Sequence, residues 1–259
     1  VALQIRNNEM VDILSTDFQR RNEPNFAWQN VLSMYSLLPG LRGFWPMSAV
    51  GAAGVAYDLS GNNRTLAYHG NPIYRVDGLA PYIDFDGVGD YLSRADEAGL
   101  DITGTEAYIG APGLTLGGWW WFDAYGADRD MIGKWWGAAD FSYLLYWDNA
   151  FGQWLFQISQ NGGALACAMG SSVVGVTGQW YFIVGRFDNT DNTIDIWVNA
   201  THETAACAAV NIFSGAAPLE VGGAIAPLDG RASLVFLCAS ALPDYLTNAL
   251  YGHTRWMYR

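Results

Sequence analysis

Two hydrophobic periods divide the 259-residue chain. Between Pro24 and Leu38 the apolar residues Trp28, Val31, Leu32, Tyr35 and Leu38 recur at helical offsets, which predicts an amphipathic helix. Pro24 suits its first turn, and Pro39-Gly40 ends it. A weaker stripe, Val11, Leu14 and Phe18, predicts an earlier helix over Glu9 to Arg20. Residues 1–40 therefore read as a helical N-terminal arm before a domain spanning 41–259. A stripe shows that a face is buried, not whose surface buries it. It suits a lid on its own domain, or an arm docked on a neighbouring subunit. In the second case Trp28, Val31, Leu32, Tyr35 and Leu38 are the partner-binding residues.

From Leu41 onward the pattern is that of strands. Short runs rich in Val, Ile, Trp, Tyr and Phe are punctuated by Gly, Asn and Asp, the signature of a sandwich. The clearest hairpin joins Trp180–Phe187 to Thr193–Asn199 through Asp188-Asn189-Thr190-Asp191-Asn192. On its second strand Ile194, Ile196 and Val198 share one face, while Asp195 and Trp197 share the other. The first strand is apolar on both faces and should be central and doubly covered. Met131–Trp135, Ser142–Trp147 and Trp154–Ser159 predict three further consecutive antiparallel strands. In Trp119-Trp120-Trp121 the middle ring must oppose its neighbours, and the N-terminal helices can cover the face away from the core.

Composition changes this picture in three places. A net charge of −12 argues against nucleic acid and anionic membranes as partners. No run approaches the roughly 18 apolar residues of a membrane span. Charged residues make up only 15% of the chain, against about 25% in a typical globular protein, and Lys134 is the only lysine. Strand edges are commonly blunted by lysine, so a chain this poor in it points to self-association or other assembly subunits. Three widely spaced cysteines, Cys167, Cys207 and Cys238, read by default as free buried thiols, with one disulfide as the alternative. Residues 1–8 lack the basic and apolar regions of a secretion leader.

Several short motifs then fall in a fixed order: Asp58-Leu59-Ser60-Gly61-Asn62, Phe85-Asp86-Gly87-Val88-Gly89-Asp90-Tyr91-Leu92, Leu114-Thr115-Leu116-Gly117-Gly118-Trp119, Gly178-Gln179-Trp180-Tyr181 and Ile194-Asp195-Ile196-Trp197-Val198-Asn199. Asp229-Gly230-Arg231 and Ala241-Leu242-Pro243-Asp244 close the series. The order and spacing, across roughly residues 41–253, resemble the laminin-G-like, concanavalin A-like jelly-roll family of lectins and glucanases. That resemblance implies an all-β, two-sheet antiparallel sandwich carrying the helical arm. It also implies glycans as ligands, with Trp136, Tyr146, Trp147, Asp148 and Trp154 as the aromatic and polar candidates. Family members that hold a structural calcium would use Asp58 and Asn62 of the first loop. Their later carboxylates are replaced here by Ser233 and Leu234, so no cofactor is expected.

Catalysis fits the residues poorly. A retaining glycosidase needs two carboxyls about 5–5.5 Å apart, which on one strand means acids at i and i+2 or i+4. No two of Glu9, Glu23, Glu97, Glu106, Glu203 and Glu220 lie within five residues of each other. Asp128 and Asp130 have the spacing, but Gly126 and Arg129 beside them predict a hairpin turn, and Asp84 and Asp86 belong to the Phe-Asp-Gly turn. His69, His202 and His253 stand apart, without metal-ligand spacing. The expectation is a non-enzymatic structural protein of a large assembly, a bacteriophage virion component (capsid decoration or tail-associated) able to bind glycans. The alternative is a secreted or cell-surface carbohydrate-binding module, with a glycoside hydrolase behind both.

Overall fold

The period-two runs pair into two antiparallel sheets in a computed structural model that describes residues 24–48, 54–78, 80–106, 110–137 and 139–258. Sheet I has the order β14 (Thr201–Ala206), β13 (Thr193–Val198), β12 (Trp180–Asp188), β7 (Gly113–Phe122), β16 (Asp229–Cys238), β5 (Ala80–Asp86), β4 (Ile73–Asp77). β1 (Leu41–Trp45) lies along the second half of β16. Sheet II runs β11 (Leu165–Gly170), β10 (Gln153–Gly162), β9 (Asp140–Asp148), β8 (Arg129–Trp136), β15 (Leu219–Val221), β6 (Tyr91–Arg94), β3 (Leu66–His69), β2 (Val55–Ala56). The predicted hairpin is β12–β13, and the three consecutive strands are β8, β9 and β10. As expected, β12 is central, with β7 and β13 as neighbours, and is buried along almost its whole length.

Between the sheets Trp120, Phe122, Tyr143, Leu145, Trp154, Phe156, Ile183 and Phe187 are fully buried. Each such side chain stabilises by about 1.5–3 kcal/mol through loss of water contact. The sheets approach so closely that a Cβ on Gly185 would sit 2.4 Å from the Phe156 ring, so only glycine fits there.

A second apolar layer covers the other face of sheet I. The helix α1 (Pro24–Ser36), the helix α2 (Asp244–Thr254) and the 3₁₀ turn Arg255–Tyr258 lie over it. Trp120 points into the core while Trp119 points outward, where its Nε1 donates to Thr254 Oγ1 at 2.8 Å and its ring stacks on Tyr258 at 4.3 Å. The cover over Trp119 thus comes from the C-terminal segment rather than the N-terminal helix. Arg186 ties α2 to the sheet, donating to Asp195 at 2.9 Å and to Asp244 at 2.7 Å.

Helix α1 corrects the docking-arm reading. Val31, Tyr35 and Leu38 are buried in this chain's own outer layer, where Tyr35 stacks on Phe44 at 4.5 Å and meets the edge of Phe236. Trp28 and Leu32 are half-buried against the same layer. The stripe is a lid in cis, because sheet I has an apolar outer face that needs one. The weaker helix expected over Glu9 to Arg20 lies outside the described residues.

Two composition puzzles resolve together. Lys134 is fully buried and donates to Asp96 and to Asp101, the latter at 2.6 Å, so the chain's one lysine is an internal ion pair. Cys167 and Cys207, expected as free thiols, form a disulfide with Cα atoms 5.6 Å apart, while Cys238 stays free and buried.

Candidate functional site

With both faces of sheet I covered, the outer face of sheet II is the one sheet face over which no described helix packs. Its residues follow from parity. On β9 Tyr143, Leu145 and Trp147 enter the core, which sends Ser142, Leu144, Tyr146 and Asp148 outward. On β10 Trp154, Phe156 and Ile158 enter the core, leaving Gln153, Leu155 and Gln157 outside. On β6 and β3 the buried Leu92 and Leu66 put Tyr91, Ser93 and His69 on the outer face. Glu220 stands between Leu219 and Val221, both buried, so it too faces out.

The registers bring these side chains together. His69 lies opposite Tyr91, their rings stacked at 4.3 Å, and His69 Nε2 is 2.8 Å from Ser93 Oγ. Ser93 pairs with Glu220, and Glu220 with Gly133. Asp130 pairs with Tyr146, whose hydroxyl donates to Asp148 at 3.1 Å, and Asp148 pairs with Gln153. Tyr91 and Tyr146 are three strand spacings apart, about 14 Å in the pairing direction. The result is a strip of partly exposed rings interleaved with carboxyl, amide and hydroxyl groups.

The carboxyls at its centre are electrostatically strained. Burial first, then the charges of Glu220 and Asp128, push Asp130 up to about 7. Glu220 is also raised by burial, opposed by the Ala224 N–H that its carboxylate accepts at 2.9 Å. Burial, then Asp148, raises the Tyr146 phenol. Asp130 sits on strand β8 rather than in the predicted hairpin turn, because residues 123–128 carry the chain from sheet I to sheet II.

Of the five sequence-derived glycan candidates, Tyr146 and Asp148 are on this strip. Trp136 is 43% exposed at the far end of β8, about 20 Å from Asp130. Trp147 and Trp154 are corrections: both face between the sheets, where Trp154 is fully buried against Tyr181 and Phe122. The metal candidates are corrected too. The Asp58 carboxylate accepts from the Phe44, Ser60 and Arg64 backbone N–H groups at 2.8–3.0 Å and from the Ser60 hydroxyl at 2.8 Å. Asn62 donates its amide to the Leu41 and Arg42 carbonyls, at 3.0 and 3.2 Å. These groups tie the loop to β1, and N–H donors occupy the oxygens a cation would need. Among the described residues no three His, Cys, Asp or Glu side chains converge on a metal position.

Neither a family model nor a curated relative matches the chain. Solved structures do match. The binding domain of botulinum neurotoxin DC in complex with SialylT superposes with a TM-score of 0.62 at 11% identity, covering 84% of this chain and 52% of that one. A botulinum neurotoxin type C structure, from work on cell entry through two ganglioside molecules, gives 0.62 at 10% identity over 87% and 52%. The neurotoxin DC binding domain in complex with rat synaptotagmin II gives 0.62 at 11% identity over 82% and 51%. The fold is shared. This chain spans about half the length of those structures, and identities this low carry the architecture alone.

Tyr91, His69, Ser93, Glu220, Gln153 and Gln157 were not among the sequence candidates. Strand parity was the available signal, but β9 is apolar on both faces, so Leu144 and Tyr146 were as plausible inward as Tyr143 and Leu145. The pairing of β8 with β15 joins segments roughly ninety residues apart, which no local pattern encodes.

Proposed function

We propose that this chain is a non-enzymatic recognition module that binds glycans on the outer face of sheet II, with Tyr91, His69 and Tyr146 as ring platforms. The observation that carries this reading is that the sheet face left without a helix bears half-exposed aromatic rings beside hydrogen-bonding side chains. Sugars stack their apolar faces on such rings while polar neighbours fix their hydroxyls. The neurotoxin binding domains that share the architecture are described with gangliosides, SialylT and synaptotagmin II, which adds support for recognition over catalysis. The setting we propose is a virion, as a decoration or tail-associated subunit, which antibody labelling of intact particles would test. Glycan-array binding by the full chain should fall at least about tenfold in Tyr91→Ala and in Tyr146→Ala, the cost of truncating a central aromatic contact. Binding that survives both substitutions would place the site elsewhere.

A second reading rests on Asp130 and Glu220. They stand on the neighbouring strands β8 and β15 and share a face, with Asp130 held partly protonated near neutrality. A carboxyl kept protonated beside a second one is the arrangement of glycoside hydrolysis. Release of reducing ends from a bound glycan, abolished by both Asp130→Asn and Glu220→Gln, would favour that reading over binding alone.

A further inference from the structure

Strand β4 forms one edge of sheet I, and all five of its residues are exposed. Ile73, Tyr74 and Val76 are 42, 37 and 56% exposed. One side of β4 pairs with β5 from Ile73 opposite Asp84 to Asp77 opposite Ala80, and no described strand takes the other side. Natural edges are blunted by charged side chains, lysine above all, by proline, by a bulge or by a covering segment. Ile73-Tyr74-Arg75-Val76-Asp77 has no lysine or proline, its register with β5 is unbroken, and the chain's one lysine is buried in sheet II. Among the described residues this edge is therefore an open row of backbone donors and acceptors, flanked by the apolar Ile73, Tyr74 and Val76 and the charged Arg75 and Asp77.

We propose that β4 pairs antiparallel with β4 of a second copy of this chain about a two-fold axis, making one continuous sheet from two copies of sheet I. Such an axis, perpendicular to the sheet, keeps every residue on its own face. Directly opposed residues must then share a face, which restricts the register to steps of two residues. Centring the axis on Arg75 sets Arg75 against its own copy, which like-charge repulsion disfavours. Centring it on Val76 sets Arg75 opposite Asp77 of the second copy, twice by symmetry, with Val76 against Val76 between them. Arg75 and Asp77 lie on one face at i and i+2, so both ion pairs form on that face and the Val76 contact forms on the other. Self-complementary charge selects a second copy over an unrelated strand. The proposal is independent of the glycan site, which lies on the other sheet.

Light scattering across a concentration series of the full chain tests it. Dimers are expected, and Asp77→Arg should weaken them at least about tenfold by opposing like charges at two places. The swap Arg75→Asp with Asp77→Arg should restore them, since it exchanges the signs and keeps the pairing. Arg75 also donates to Asp84 at 2.8 Å, but Arg231 remains beside Asp84 in the swap variant. Val76→Lys gives a second disruption at an exposed position, and each variant's thermal melting verifies that it folds. A chain that stays monomeric throughout the series overturns the proposal. So does a dimer indifferent to Asp77→Arg and Val76→Lys, or a swap variant that melts normally yet stays monomeric.

Discussion

Asp130 is a buried carboxyl whose ionisation works against the folded state. Its folded value of about 7 lies above the roughly 3.9 of an unfolded aspartate. Between those values the native state holds more protons than the unfolded state, so stability falls as pH rises across the window and levels off above it. Glu220, also raised, adds to the same trend. Asp130→Asn removes the burden of ionising a buried group. The variant should melt close to wild type near pH 4 and several degrees higher near pH 8, with the gap opening between. A variant less stable at pH 8 would mean that the ionised carboxylate has a native partner. The proposed glycan binding is a separate readout in this variant, since an amide can donate where a protonated carboxyl did.

At the scale of elements, helix α1 belongs to the sandwich because the outer face of sheet I is as apolar as its inner face. Phe44 and Phe236, which Tyr35 covers, would otherwise meet water. Tyr35, fully buried between Phe44 and Phe236, is the anchor of that lid. Tyr35→Ala should cost about 3–5 kcal/mol, the usual range for emptying a buried aromatic site, and leave the oligomeric state alone. Calorimetry and light scattering of one variant check both halves. Lost oligomers with unchanged melting would restore the docking-arm reading.

At the scale of the whole molecule, the disulfide joins elements that no backbone ladder connects. Cys167 lies on β11, the edge of sheet II, and Cys207 follows β14, the edge of sheet I, so the bond staples one open side of the sandwich. Closing a separation of 40 residues should contribute about 2–4 kcal/mol by restricting the unfolded chain. Cys167→Ser should accordingly lower the melting temperature by roughly 5–12 °C, and reductant should do the same to the wild type. Cys238, pushed up by burial in the outer layer, should stay inert to thiol reagents until the chain unfolds.

The elements and their order were legible because they are local. Period-two runs, Asp-Gly and Asn-rich turns and the helical stripe of Trp28 to Leu38 depend on residues a few positions apart, and so does the ordered motif series that implied the sandwich. The sequence could show that the stripe was buried and that Trp120 opposed its neighbours. It could not show which surface covered the stripe, because amphipathicity is a property of one element and burial a property of two. Nor could it orient β9, apolar on both faces, or say which two of three cysteines meet. Asp130, Tyr91 and Glu220 are far apart in sequence, and only the order β9-β8-β15-β6 places them on one face. That order is chosen by the joint burial of both sheets, a free energy to which every strand contributes and which no single segment encodes.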